Sequence, residues 1–203
     1  MPELAPGLGF HPGYFDRDAQ LALVESIRDA LRTAPLFTPR MPRTDKPFSV
    51  RMSNCGPLGW VSDRNGYRYQ PLHPETAKSW PPIPDALLAC WTGLSPSVLQ
   101  PEACLINFYG GEARMGLHQD RDEQEFSAPV LSISLGDRAL FRYGGPNRSD
   151  PTRSIKLESG DVIVMAGPSR LCFHGIDRIY PNSSTLLPQG GRINLTLRRV
   201  TRG

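Results

Sequence analysis

The spacing of apolar positions changes character along the chain, and the changes divide it into segments. Residues 1–15 carry Pro and Gly without a regular apolar pattern and read as an irregular lead-in. From there to Leu31, the positions Leu21, Val24, Ile27, Arg28 and Leu31 recur at helical spacing, with Asp16 or Asp18 placed to cap the helix. From Pro35 to Pro82 the periodicity is lost. Aromatics stand among polar residues at Phe48, Trp60, Tyr67, Tyr69 and Trp80, and Asn65-Gly66 signals a hairpin turn between the Val61 and Tyr67 segments. This stretch reads as a flap rather than as core. A second helix is expected over Ile83 to Val98, begun at a proline and capped by Asp85.

Beyond residue 100 the period becomes two. Leu105, Ile106 and Phe108 are followed by Val130, Leu131, Ile133 and Leu135, then by Leu140, Phe141 and Tyr143. Further apolar runs at Ile155–Leu157, Asp161–Met165, Leu171–Phe173 and Ile193–Leu197 are separated by turn residues such as Ser159-Gly160. Many short strands at this spacing predict a mainly β fold with flanking α-helices, a sandwich or jelly roll, in a single domain without internal repeats.

Composition narrows this further. The 203 residues include 21 Pro and 19 Gly, which suits short strands joined by turns and not a helical bundle. A hydrophobic fraction of 39% and a charged fraction of 21% exclude disorder and coiled coil. The formal net charge of +3 permits a polyanionic partner without requiring one. Cys55, Cys90, Cys104 and Cys172 are scattered, with no Cys-x-x-Cys pair, and are expected to be reduced, packed thiols. With no leader-like segment and no apolar run long enough to span a bilayer, a cytoplasmic protein that avoids membranes is expected.

The candidate chemistry starts at His118-Gln-Asp120. On an extended strand the two ligand-type side chains share a face and can reach one ion. His174 stands in an apolar strand context and is the third candidate. Two imidazoles and one carboxylate form the facial triad that leaves positions open on Fe(II) for a cosubstrate and O2. His11 and His73 lie beside prolines and read as exposed or satisfied loop histidines. As a ligand to a catalytic ion, Asp120 is expected to carry chemistry rather than packing.

The last apolar run adds a second signal. Alternation over Arg192-Ile-Asn-Leu-Thr-Leu-Arg198 puts Ile193, Leu195 and Leu197 on one face and Arg192, Asn194, Thr196 and Arg198 on the other. The polar side is either the solvated face of an edge strand or an anion pocket. In the second case the two guanidiniums, with Cα atoms roughly 20 Å apart on a straight strand, lean together to grip a dicarboxylate. Asn107 and Tyr109 share a parity and offer uncharged donors to the same ligand.

These residues, Asn107-Phe-Tyr109, Leu117-His-Gln-Asp-Arg-Asp122, Ser169-Arg-Leu-Cys-Phe-His-Gly175 and Arg192–Arg198, resemble the AlkB family of alkylated-DNA repair dioxygenases, over about Ser53 to Val200. The segments Asn54–Trp60 and Asn65-Gly-Tyr67 resemble that family's nucleotide-recognition lid. The resemblance implies a double-stranded β-helix, with residues 1–100 as an N-terminal extension carrying a lid at about 40–82 and residues 101–203 as the jelly-roll core. It implies Fe(II) on His118, Asp120 and His174, and 2-oxoglutarate reaching Arg192 and Arg198 with Asn107, Tyr109 and Asn194 assisting. O2 is then consumed, succinate and CO2 form, and an N-methyl group is hydroxylated and lost as formaldehyde.

By the same resemblance, Trp60 and the His118 ring sandwich a flipped base, Tyr67 lies along the lid, Asp122 meets the exocyclic amine, and Arg148 is a basic position near the lesion. The implied partner is alkylated DNA, single- or double-stranded, with RNA left open, and the chain acts as a monomer. Lys46, Arg51, Arg114 and Arg153 are further candidates for phosphate contacts. A hydroxylase of protein or small-molecule substrates would need the triad and the arginine strand but not Trp60 and Asp122. A non-catalytic jelly-roll module would need no open iron site.

Overall fold

The computed structural model of the chain describes residues 3–203. The expected irregular lead-in is instead two short strands, β1 (Glu3–Ala5) and β2 (Leu8–His11). They form the edge of the larger sheet, where β2 pairs with a strand far along the chain. Pattern reading misses them because three or four residues are too few to show a period.

Helix α1 (Arg17–Thr33) begins at Asp16, whose Oδ1 accepts from Ala19 N at 2.9 Å. It ends at Thr33, two residues before Pro35, because the proline disfavours helical backbone at Ala34. Gln20, Leu23, Val24, Ile27 and Ala30 are buried, whereas Leu21 is 43% exposed, so the apolar face is rotated from the predicted stripe.

Strand β3 (Arg51–Cys55) lies inside the stretch expected to be a flap, yet it joins the larger sheet, with Val50, Met52 and Cys55 buried. The hairpin of β4 (Gly59–Asp63) and β5 (Gly66–Gln70) does stand apart as its own two-stranded sheet. Its turn runs over Arg64 and Asn65. Gly66 follows at φ 102°, a left-handed conformation that glycine adopts without steric cost. Helix α2 (Asp85–Leu94) is shorter than predicted. Pro84 occupies the cap position with no side-chain bond, and Asp85 sits in the first turn, where its charge suits the helix dipole, rather than capping. Val98 falls in exposed coil after Pro96.

The remaining strands are β6 (Ala103–Tyr109), β7 (Met115–His118), β8 (Val130–Gly136), β9 (Ala139–Tyr143), β10 (Arg153–Leu157), β11 (Val162–Met165), β12 (His174–Ile179) and β13 (Arg192–Arg198). One sheet runs β1-β2-β11-β8-β13-β6-β3 and the other β10-β9-β12-β7. Leu171–Phe173 is not a strand: a 3-10 turn at Gly167–Ser169 occupies the approach, and extended pairing starts only at His174.

The two sheets pack face to face as a jelly roll. An inner cluster containing Leu8, Met52, Phe141, Tyr143, Met165 and Ile176 lies between them. A second cluster joins Leu23, Val24 and Ile27 of α1 and Leu87 and Trp91 of α2 to Leu131, Ile133, Leu195 and Leu197 on the outer face of the larger sheet. Strand β13 is therefore central, between β8 and β6, and all seven of its residues are buried. Its apolar side meets the helices and its polar side faces the interior. Ile133→Ala is expected to destabilise the fold by about 2–5 kcal/mol in urea unfolding, since it opens a cavity under both helices.

Candidate active site

The inward polar face of β13 lines a narrow cavity of about 50 Å³ together with Asn107 and Tyr109 of β6 and the three candidate metal ligands. His118 ends β7 and His174 begins β12, and the two are direct partners across that strand pair, with ring centroids 4.5 Å apart. Asp120 lies just past the end of β7, in a loop rather than on the strand, but still reaches both rings. One ligand atom from each of the three residues falls within 4.8 Å of the others.

The loop is held from the approach to His174. Gln119 Nε2 donates to Leu171 O at 2.6 Å, and Arg170 donates to Asp120 O at 2.7 Å and Ala128 O at 2.9 Å. Both imidazoles are oriented alike. His118 Nδ1 bonds Gly116 O at 2.9 Å and His174 Nδ1 bonds Cys172 O at 3.0 Å. A carbonyl only accepts, so Nδ1 carries the proton and the Nε2 lone pair is turned toward the carboxylate. Those Nε2 atoms stand 3.8 and 3.9 Å from Asp120 Oδ1 and Oδ2.

Asp120 Oδ1 accepts from Arg198 Nη2 at 2.9 Å, whereas Oδ2 is buried without a hydrogen-bond partner among the described residues. Burial pushes the Asp120 carboxyl up, but Arg198, His174 and His118 outweigh it and hold it well below the usual carboxylate range. Burial, and then the charge of His118, lowers His174 to about 4. At neutral pH Asp120 is thus a carboxylate and His174 a neutral imidazole, two of the donor states a divalent metal requires. This donor set fits Fe(II), with one carboxylate oxygen tied back and the other free to bind.

Deeper in the cavity Arg192 is 1% exposed. Its Nη2 donates to Ser134 Oγ at 3.0 Å and its guanidinium lies 5.2 Å from the Tyr109 ring centroid, but Nε and Nη1 have no partner among the described residues. Unpaired N–H groups on a buried cation are costly, and an anionic carboxylate entering the cavity is the partner they favour. Asn194 is different. Its Nδ2 donates to Ser132 Oγ and Ile133 O, and its Oδ1 accepts from Asn107 Nδ2 and Thr196 Oγ1, so all four of its hydrogen bonds are made within the protein. It orients Asn107, whose Oδ1 has no partner among the described residues. Arg198 is likewise occupied by carboxylates, Asp120 at 2.9 Å and Glu123 at 3.4 Å. Burial raises the Tyr109 phenol, leaving a neutral donor.

A second cavity of about 580 Å³ opens onto His118 and Asp120 and is lined by Trp60, Tyr67, Met115, Asp122 and Arg148. Trp60 stacks on Tyr67 with centroids 5.6 Å apart and an interplanar angle of 18°. Trp60 Nε1 donates to Asp122 Oδ2 at 2.8 Å. The buried Asn54 bonds both backbone groups of Trp60, and a Cβ at Gly59 would collide with Trp80, so the hairpin lies close on that ring. Arg148 donates to Leu117 O at 3.0 Å beside the cavity, whereas Arg51 stacks on Phe108 and Lys46, Arg114 and Arg153 are exposed.

His73, by contrast, is a buried and fully bonded loop histidine, joined to Pro35 O and to the amides of Glu75 and Thr76. Sequence reasoning assigned no individual role to Glu123, Arg170, Tyr69 or Asn54. Glu123 and Arg170 are typical surface residue types, and only their neighbours in space identify them as buried.

The model of the 2OG-Fe(II) oxygenase superfamily matches residues 7–198. An alpha-ketoglutarate-dependent dioxygenase AlkB homolog from Caulobacter vibrioides is 56% identical over 197 residues, 97% of this chain and 89% of that protein. The alpha-ketoglutarate-dependent dioxygenase AlkB of Escherichia coli is 40% identical over 190 residues, 92% of this chain and 87% of that protein. The solved structure of OsALKBH1 superposes with a TM-score of 0.79 at 31% identity, covering 98% of this chain and 100% of that one. The inward triad and the matches along nearly the whole chain agree: this chain belongs to the AlkB family of Fe(II)- and 2-oxoglutarate-dependent dioxygenases.

Proposed function

We propose that the chain oxidatively demethylates N-alkylated nucleobases such as 1-methyladenine and 3-methylcytosine in DNA, single- or double-stranded, and in RNA, a direct-reversal repair reaction. The observation that carries this reading is the larger cavity, which joins a stacking surface and a carboxylate to the metal-ligand cluster. Methylation at N1 of adenine or N3 of cytosine gives a cationic base that cannot pair normally, so its extraction from a duplex costs less than that of an intact base. Aromatic faces and the Asp122 carboxylate favour a cationic ring over a neutral one.

In this reading His118, Asp120 and His174 hold Fe(II), and Arg192 takes the far carboxylate of 2-oxoglutarate, with Asn107 and Tyr109 beside it. Asn194 acts through Asn107, and Arg198 fixes Asp120 at the metal end. Bound iron with 2-oxoglutarate supplies the O2 activation that oxidises the methyl group, with succinate, CO2 and formaldehyde as products. Trp60 and His118 bracket the base, Tyr67 backs Trp60, Asp122 faces the exocyclic amine and Arg148 meets the backbone near the lesion. The hairpin within residues 40–82 serves as the lid over the jelly roll of 101–203.

The metal, anion and base sites are assembled from one chain, which supports action as a monomer. Four free, buried cysteines support a reducing compartment such as the cytoplasm. No helix among the described residues is long and apolar enough to cross a membrane.

The direct test is mass spectrometry of a 3-methylcytosine oligonucleotide incubated with protein, iron, ascorbate and 2-oxoglutarate. The methyl mass is expected to be lost, with formaldehyde released, and an unchanged oligonucleotide would refute the reading. Asp120→Ala is expected to abolish turnover and also to destabilise the fold by about 3–5 kcal/mol, because Arg198 loses its closest carboxylate inside the protein. Chemical denaturation checks that loss, and an unaltered midpoint would show that Asp120 carries chemistry alone. Arg192→Met is expected to raise KM for 2-oxoglutarate by about tenfold or more in steady-state kinetics, the loss of a charge-assisted bidentate contact. Trp60→Ala is expected to weaken binding of the methylated oligonucleotide about tenfold, the order of one stacking contact, while changing 2-oxoglutarate turnover without nucleic acid far less.

A further inference from the structure

The loop that carries the metal carboxylate also grips the hairpin. Two and three residues after Asp120 stand Asp122 and Glu123. Asp122 accepts from Trp60 Nε1 on β4, and Glu123 Oε1 accepts from the Tyr69 hydroxyl on β5. Trp60 and Tyr69 are direct partners across the hairpin, so consecutive acids hold the two ends of one rung.

Unlike Asp122, Glu123 is deeply buried, its side chain 2% exposed. Its Oε2 takes Arg170 Nη2 at 3.1 Å, and its Oε1 stands 3.4 Å from Arg198 Nε. The Tyr69 hydroxyl lies 3.5 Å from Arg198 Nη1 as well. Arg198 in turn donates from Nη2 to Asp120. A continuous path, Tyr69–Glu123–Arg198–Asp120, therefore runs from the hairpin to the metal ligand. If the cluster served stability alone, packed apolar side chains would do as well.

We propose that Tyr69 and Glu123 are positioning residues that couple the seating of the hairpin to the hold of Arg198 on Asp120, so that a base under the hairpin and a metal at the triad favour one another. The proposal rests on reading the hairpin as the lid of a base cavity. With the hairpin seated, the Tyr69 hydroxyl takes Glu123 Oε1, which then stands off at 3.4 Å from Arg198 Nε while Arg198 Nη2 holds Asp120 at 2.9 Å. When the hairpin lifts, Oε1 is a buried acceptor without its donor, and the nearest N–H is Arg198 Nε. The guanidinium is then drawn off Asp120, and the carboxylate loses the bond that fixes its free oxygen toward the histidines. Because both ends bias one element, the coupling is reciprocal: metal binding must favour the seated hairpin as much as the seated hairpin favours metal.

The test is amide hydrogen exchange of the full chain with and without Co(II), which needs neither O2 nor turnover. In the parent, Co(II) is expected to slow exchange in β4 and β5 by about fivefold or more. Tyr69→Phe removes one hydroxyl. It is expected to speed metal-free exchange in β4 and β5, to leave β8 and β13 unchanged, and to abolish the hairpin's response to Co(II). Glu123→Gln is expected to behave alike where it folds, and Tyr69→Phe decides the matter where it does not. In turnover, succinate formed per formaldehyde released should rise about threefold or more in Tyr69→Phe, on the scale of such couplings. A Co(II) response in Tyr69→Phe equal to the parent's overturns the proposal. Absence of formaldehyde from the parent would instead overturn the demethylase reading, and the metal response of the hairpin is read independently of it.

Discussion

A buried guanidinium must be met by negative charge, and this structure places two of them on the inward face of one central strand. Arg198 is met by Asp120 and Glu123, so the same central strand also fixes the carboxylate of the candidate triad. Arg192 has a serine hydroxyl and an aromatic face but two N–H groups without partners among the described residues. Metal end and anion end are thus parts of one electrostatic arrangement. The helices packed on the opposite, apolar face keep β13 in place and so keep both ends in register.

The period-two pattern after residue 100 made most of the core strands legible, and the alternation in β13 separated its two faces correctly. Alternation alone does not say whether a polar face meets water or an interior, because an edge strand and a jelly-roll strand lining a polar cavity share it. The triad was legible as residue types because His-x-Asp constrains two ligands locally. The arrival of His174 opposite His118 is a fact of strand pairing between distant segments.

Other features left no local trace. The short strands β1 and β2 are too brief to show periodicity. The integration of β3 was hidden by prolines on both sides. The α1 face was misplaced by one position because Gln20 and Ala30 are buried and Leu21 is not. Glu123 and Arg170 are buried with partners far along the chain, each other among them, a pairing 47 residues apart that no window reveals.

The architecture also divides rigid from yielding parts. The two histidines of the triad and Arg192 sit on strands within two packed sheets, whereas Trp60 and Tyr67 sit on a two-stranded hairpin tied down by single side-chain bonds from the Asp120 loop. An isolated hairpin of this size is marginal by itself. Its position is therefore sensitive to a few contacts, which suits the lid role proposed for it.

The inner face of β13 brings one carboxylate-binding slot and one metal centre together. Calorimetric titration of 2-oxoglutarate into Mn(II)-loaded protein, with metal-free protein as reference, tests this most directly. One-to-one binding that strengthens markedly with metal present is expected, since one end of the ligand would meet the ion and the other Arg192. Binding of equal strength with and without metal would contradict it.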